Sequence, residues 1–206
     1  MWSSEVTNMI ITGIWETLYM TLVSTLVGYV IGLPMGIILT VSDKDGIKPN
    51  AVLYKILDVI ANIVRSVPFI ILLVLLIPFT RLVVGKSYGS TATIVPLVIA
   101  AAPYIARMVE SSLKEVDAGV IEAARSMGAS NFTIITKVML VEARTSLLVG
   151  ATITLGTILG YSAMSGAVGG GGLGAIAIRY GYTRWQTDIM IVTVILLIIL
   201  FQIFQT

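Results

Sequence analysis

Long stretches without charged residues divide the chain into apolar segments. An ionised side chain is costly at the centre of a bilayer, so an uncharged run of about 20 residues predicts a membrane-spanning helix. The pattern predicts an all-α integral membrane protein with five transmembrane helices. The runs are Thr17–Ser42, Ser66–Thr80 extended backwards by Val59–Val64, Ser87–Ala106, the first part of Thr145–Ile178, and Ile189–Thr206.

The distribution of basic residues predicts how these spans are oriented. No Lys or Arg precedes Lys44, so the amino terminus is expected outside and the carboxyl terminus in the cytoplasm. With Arg65 set aside as intramembrane, eight basic residues fall inside and four outside. The chain starts without positive charge, which argues against a cleavable secretory signal. We therefore expect a multi-pass membrane protein.

Composition narrows the class further. The 206 residues are 57% hydrophobic and 12% charged, with a mean hydropathy of +0.99, which predicts a single domain over residues 1–206. The absence of His and Cys removes the usual general base and the thiolate ligands, so neither catalysis nor a metal site is expected. A net charge of +2 does not argue for nucleic acid. No G-x-x-x-x-G-K-[ST] motif is present, so this chain is not expected to hydrolyse ATP.

Glycines crowd the end of the fourth run, so we expect helix only in its first part. Gly169–Gly174 satisfies G-x-G-x-x-G, but a dinucleotide site needs a preceding strand and an acid about 20 residues on. A membrane span precedes this segment, and the next acid is Asp188. We interpret the segment as a flexible reversal at the outer end of the fourth span. A hinge beside an external gate is the functional alternative.

The segment Arg107–Arg144 is polar, and its charged residues have the spacing of a helix. Five basic and five acidic residues balance in it, and the spacings of Glu110 to Lys114 and of Glu122 to Arg125 support a helix. Asp117 is predicted to cap a short helix over Ala118–Met127, and Gly128 to end it. Ser130 or Asn131 is predicted to cap the next helix. Balanced charge fits a protein partner better than a surface of lipid headgroups. The apolar side of the short helix comprises Val120, Ile121, Ala124 and Met127.

A family resemblance lies in this segment. Glu122-Ala123-Ala124, three residues, Gly128, nine residues and Val138–Val141 resemble the EAA loop of ABC importer permeases, with Val138 and Val141 departing from the usual Ile and Pro. The resemblance implies a type I ABC importer permease fold with a cytoplasmic coupling helix that docks on a dimer of ATPase subunits. The residues it assigns to this coupling are Val120, Ile121, Glu122, Ala123, Ala124, Met127 and Gly128.

Other stretches are similar to the amino-acid and methionine branches of this family. Methionine is the implied substrate, with another amino acid as the alternative. The resemblance further implies a place in the bacterial inner membrane, a homodimer and an external substrate-binding protein. It also implies that ATP and Mg are bound by the partner ATPase rather than by this chain. The similar stretches are Arg65–Phe69, Pro103–Glu110, Gly160–Gly169, Gly172–Gly174 and Arg179–Tyr182.

Four residues near the end of the fourth span are candidates for the gate or pathway. Met164 lies among small residues, where ordinary packing is the default and an external gate is what the resemblance implies. Tyr161, Ser162 and Ser165 are able to bind a passing amino acid through hydrogen bonds. They are equally able to satisfy helix carbonyls.

Two rival classes remain. A stand-alone channel or ion-coupled carrier places acidic residues within its spans, whereas here only Asp58 and Glu142 lie near span ends. The second rival class is a membrane enzyme such as an intramembrane hydrolase, but the sequence offers no group to which catalysis could be assigned. Asp58 and Arg65 are seven residues apart on one helix face, and we interpret them as a local structural pair.

Overall fold

The computed structural model describes residues 4–205, and all regular structure in that range is helical. Most of the helices are connected by short turns. In chain order they are α1 (Ser4–Ser42), α2 (Ala51–Ser66), α3 (Phe69–Leu75), α4 (Ile77–Val84), α5 (Ser90–Lys114), α6 (Ala118–Ser126), a helical segment 131–142, α7 (Arg144–Ser165), α8 (Gly172–Ile176), a π-helix (Ala177–Tyr182) and α9 (Thr187–Gln205).

The number of spans agrees with the prediction once a bent pair of helices is counted as one. Four stretches are long and apolar enough to cross a membrane: α1, α5, Arg144–Tyr182 and α9. The pair α2 and α3 meets the same test together but bends by 102°. Pro68 lies at the bend, as the residue before α3, where a missing N–H does least harm to a helix. Five spans and an all-α architecture are therefore confirmed.

Two boundaries differ from the sequence-based expectation. α1 begins at Ser4 rather than at Thr17. The uncharged run marks the membrane span, and the helix extends beyond that run towards the amino terminus, through Glu16 and Glu5. The fourth run was expected to lose helical structure at its glycines, and that expectation is wrong for its end. The helix resumes after the glycines, from Gly172 to Tyr182.

The chain divides into two compact units. Unit 1 comprises Met1–Val27, Val67–Ala100 and Ile153–Thr206, and unit 2 comprises Gly28–Ser66 and Ala101–Thr152. Helices α1, α5 and α7 each contribute residues to both units. The expectation of a single domain stays a prediction.

In unit 2, α1 and α5 approach closely along a stripe of glycines. A Cβ on Gly32 would lie 2.6 Å from the Ala102 carbonyl oxygen, and one on Gly36 would lie 2.6 Å from the Ala106 carbonyl oxygen. The glycines recur every fourth residue from Gly28, so they share one face of α1. Small residues at this spacing allow helix backbones to approach within a membrane, where apolar burial alone does not drive helices together.

In unit 1, the glycine-rich segment is held by hydrogen bonds from α1 and α5. The Glu16 carboxylate accepts from the Gly172 N–H at 2.7 Å, and the Thr17 hydroxyl accepts from the Leu173 N–H at 2.9 Å. The Thr93 hydroxyl donates to the Gly170 carbonyl at 3.3 Å. The predicted reversal is present, and its backbone polar groups have defined partners.

Candidate functional site

The short helix α6 forms as the sequence predicts. The Asp117 side chain caps it by accepting from the Gly119 N–H at 2.8 Å. The helix ends at Ser126, with Met127 as its C-cap and Gly128 in the left-handed region at φ 81°. A Cβ on Gly128 would meet nothing within 4 Å, so the backbone conformation rather than space favours glycine there.

The next helical segment is capped by Ser130, one of the two predicted residues. Its hydroxyl accepts from the Thr133 N–H at 3.2 Å. The middle of that segment, Ile134–Met139, is π-helical, and Ile134 is fully buried. The polar loop is therefore an ordered pair of capped helices.

The apolar side of α6 is divided between the core and the surface. Ala124 is buried and Ile121 is half-buried, so these two residues pack the helix against the rest of unit 2. Val120 is 41% exposed and Met127 is 82% exposed, and the charged Glu122 is exposed on the same helix. We define the α6 surface as Val120, Glu122, Ala123 and Met127. Of the seven predicted coupling residues, these four and Gly128 are exposed.

Arg125 joins α6 to the loop that follows α1. Its guanidinium donates to the Ile47 carbonyl at 2.9 Å, and it makes no ion pair with Glu122 in the described part of the chain. The loop folds back on α1, because the Lys48 N–H donates to the Val41 carbonyl at 3.0 Å. The helix that the spacing of Glu122 and Arg125 indicates is present, and Arg125 binds the loop after α1.

A cluster of charged side chains lies on the α5 residues that precede α6. Glu110 is 4% exposed and is its centre. One carboxylate oxygen receives the Lys114 ammonium at 2.8 Å and the Tyr54 hydroxyl at 3.2 Å. The other receives the Arg107 guanidinium at 2.6 Å. Both oxygens of this buried carboxylate are therefore satisfied, as a buried charge requires.

The cluster extends from α5 to α2 and to the end of α1. Arg107 also donates to the Asp58 carboxylate and, at 3.0 Å, to the Asn62 amide oxygen. Lys114 contacts the Asp43 carboxylate at 2.7 Å, and this hydrogen bond lowers the pKa of Asp43. We call Asp43, Asp58, Arg107, Glu110 and Lys114 the ion cluster.

The ion cluster corrects one prediction and adds residues that the sequence did not single out. Asp58 pairs with Arg107 rather than with Arg65, which is exposed. Arg107 lies on another helix and binds Asp58 in place of Arg65, which is seven positions away on the same helix. Spacing along one helix cannot reveal such a contact. The available signal was the i, i+3, i+7 series of Arg107, Glu110 and Lys114 on one face of α5.

Two of the gate candidates have their hydroxyls engaged within the helix. Ser162 is buried and donates to the Leu159 carbonyl at 2.7 Å, and Ser165 is buried and donates to the Ser162 carbonyl at 2.6 Å. These hydroxyls therefore satisfy helix carbonyls, and their contact with a passing amino acid stays a prediction.

The other two candidates differ in their surroundings. The Tyr161 ring stacks on Phe69 with centroids 4.5 Å apart and planes 4° apart. Met164 is 52% exposed at the end of α7. Tyr161 thus connects α7 to α3 in unit 1. About half of the Met164 side chain is not covered by other residues of this chain.

Comparison with known proteins assigns a family. Residues 28–206 match the family described as binding-protein-dependent transport system inner membrane component. The probable D-methionine transport system permease protein MetI of Vibrio cholerae is 49% identical over 205 residues, covering 100% of this chain and 91% of that protein. The D-methionine transport system permease protein MetI of Escherichia coli is 53% identical over 158 residues, covering 77% of this chain and 73% of that protein.

Solved structures agree with this assignment. An inward-facing structure of the MetNI methionine ABC transporter contains a chain that is 51% identical, with a TM-score of 0.97 over 99% of this chain and 94% of that one. An amino acid ABC transporter with histidines has a TM-score of 0.79 at 23% identity, a similarity of fold alone. The chain belongs to the family of binding-protein-dependent transport system inner membrane components. It is a multi-pass membrane permease with the fold of the type I ABC importer permeases.

Proposed function

We propose that this chain is the membrane-spanning permease subunit of an ATP-driven importer of methionine. The observation that carries the proposal is the α6 surface, which presents apolar side chains at the centre of a polar, capped helical segment. Relatives about half identical are D-methionine transport permeases by name, and they support methionine as the substrate. Another amino acid is the alternative substrate.

Partner binding at α6 is supported by exposure and charge. Met127 is 82% exposed although it is apolar, and Glu122 on the same short helix is an exposed charge. Exposed apolar side chains with polar neighbours are typical of protein interfaces. We propose that the α6 surface docks on a separate ATPase subunit, which binds ATP and Mg and transmits its motion through α6.

The remaining parts of the assembly follow from the same proposal. Two copies of this chain form the pathway, an external binding protein delivers the substrate, and the amino terminus lies outside. The excess of basic residues in the α1–α2 loop and in Arg107–Arg144 supports that orientation. Met164, half exposed in one copy, is proposed to close the pathway against its counterpart in the second copy.

Uptake by reconstituted vesicles tests the function. The permease and its ATPase would be reconstituted with the external binding protein, and labelled methionine uptake measured with ATP and with a non-hydrolysable analogue. We expect uptake only with hydrolysable ATP, and competition by unlabelled methionine above other amino acids. Stronger competition by another amino acid would show that this other amino acid, and not methionine, is the substrate. Uptake by vesicles that lack the ATPase would favour a stand-alone channel or carrier.

A further inference from the structure

The ion cluster has a geometry that packing alone does not require. Tyr54, Asp58 and Asn62 are four residues apart in turn, so they share one face of α2. Each of them contacts Arg107 or Glu110 on α5. The two helices are therefore joined by a series of polar contacts rather than by one pair. A shift of α2 along α5 by one helical turn would break every contact in the series.

Burial makes those contacts specific. The side chains of Glu110 and Arg107 are only 6% and 18% exposed. Removing one partner of such a pair leaves an uncompensated charge in a poorly hydrated place. Three carboxylates share two cations, and each cation bridges two carboxylates, so moving one helix would leave a carboxylate without its cation. The cluster thus favours one arrangement of α2 against α5.

The same cluster reaches α6 by two routes. Along the chain, three residues separate Lys114, the last residue of α5, from Ala118, the first residue of α6. Through space, Arg125 of α6 binds the Ile47 carbonyl, in the loop that follows Asp43. Asp43 in turn binds Lys114. α6, the end of α1, α5 and α2 are consequently linked by contacts between defined polar groups.

We propose that Glu110 is a positioning residue for energy coupling. By its contacts, Glu110 joins α1, α2 and α5 into one body that moves with α6. This rests on the proposed function, because it assigns the force on α6 to an ATPase. A displacement of α6 is passed to the spans only if they do not slide past one another. Glu110 prevents sliding by binding Tyr54 of α2 and both cations of α5 at once.

The test is the number of methionine molecules transported per ATP hydrolysed by the reconstituted complex with its binding protein. For Glu110→Gln we expect ATPase binding as in wild type and continued ATP hydrolysis. The ratio should fall by a factor of about 5 or more, the lower end of typical coupling between sites. Lys44→Gln is the matched control, because its pair with Asp45 is fully exposed at 3.8 Å. We expect the control to keep the wild-type ratio.

Tyr54→Phe keeps the inference testable if Glu110→Gln does not fold, because it removes only the hydroxyl by which α2 binds Glu110. We expect Tyr54→Phe to leave ATPase binding unchanged and to lower the ratio, by less than Glu110→Gln does. A lowered ratio in a folded variant would support the inference. An unchanged ratio in either variant, once folded, would overturn the inference and leave the cluster a purely structural feature. Failure of wild-type permease to bind any ATPase would instead overturn the proposed function.

Discussion

The Glu16 carboxylate accepts a hydrogen bond from the Gly172 N–H at 2.7 Å, although the two residues are 156 positions apart. Gly172 has a φ of 72° and begins α8, so its N–H has no partner within its own helix. An acidic side chain on α1 thus satisfies the start of a helix that follows the glycine-rich reversal. This contact gives the Glu16 carboxylate of α1 a defined partner.

Replacement of Glu16 tests the importance of that hydrogen bond. Glu16→Ala should lower the free energy of unfolding by about 1–3 kcal/mol, because a charge-assisted bond is lost and an N–H is left without its partner. Glu16→Gln should lower it less, since an amide oxygen still accepts. Thermal unfolding in detergent measures both. Equal stability of wild type and Glu16→Ala would show that the contact is dispensable.

The glycine stripe of α1 predicts a steric effect. Gly32→Ala would place a Cβ 2.6 Å from the Ala102 carbonyl, so α1 and α5 would have to separate, at about 1–3 kcal/mol. Gly160→Ala is the matched control, because its Cβ would meet nothing within 4 Å. Thermal unfolding should show a lower midpoint for Gly32→Ala and no loss for Gly160→Ala. Similar midpoints for the two variants would contradict the close approach.

The end of α6 predicts a conformational effect with no steric component. Gly128→Ala should destabilise the local fold by about 1–2 kcal/mol, because an L-residue is strained at φ 81°. Gly128→Asn should be tolerated better, since Asn adopts the left-handed region more readily. Amide hydrogen exchange of the 118–130 segment reports on this directly. Faster exchange in the Asn variant than in the Ala variant would be inconsistent with a backbone cause.

The pair of Asp43 and Lys114 predicts a dependence on pH. The hydrogen bond from Lys114 lowers the pKa of Asp43 in the folded state below its unfolded value. The pair therefore stabilises the fold above the unfolded pKa, and that contribution is lost as pH falls below about 4. The stability difference between wild type and Asp43→Asn should accordingly shrink in acid. Asp45→Asn, in an exposed pair, should show little difference at any pH.

Much of the fold was predictable because charge patterns reveal spans and caps. The uncharged runs located all five spans, and Asp117, Gly128 and Ser130 delimited the two capped helices as predicted. α1 was assigned too late a start, since its charges at Glu5 and Glu16 resemble the flank of a span. The partner that accommodates Glu16 lies 156 residues away, where local reasoning does not reach.

The candidate site was predictable in its local part and unpredictable in its tertiary part. The helix signals around α6 are short-range, so they were read correctly from residue spacing. Asp58 and Arg125 bind partners on other segments: Asp58 pairs with Arg107 of α5 instead of the predicted Arg65, and Arg125 binds the loop after α1. For Ser162 and Ser165, sequence left two roles open, and carbonyl contacts three residues back are the ones observed.

The proposed function depends most on the α6 surface being the docking site for an ATPase. The direct measurement is the amount of ATPase subunit that co-purifies with the permease in detergent. Wild type and Met127→Leu, which keeps the apolar surface, should retain the ATPase, whereas Glu122→Arg combined with Met127→Asp should lose it while keeping its helical content. Equal retention of the ATPase by the double variant would contradict the assignment of the α6 surface and the proposed function with it.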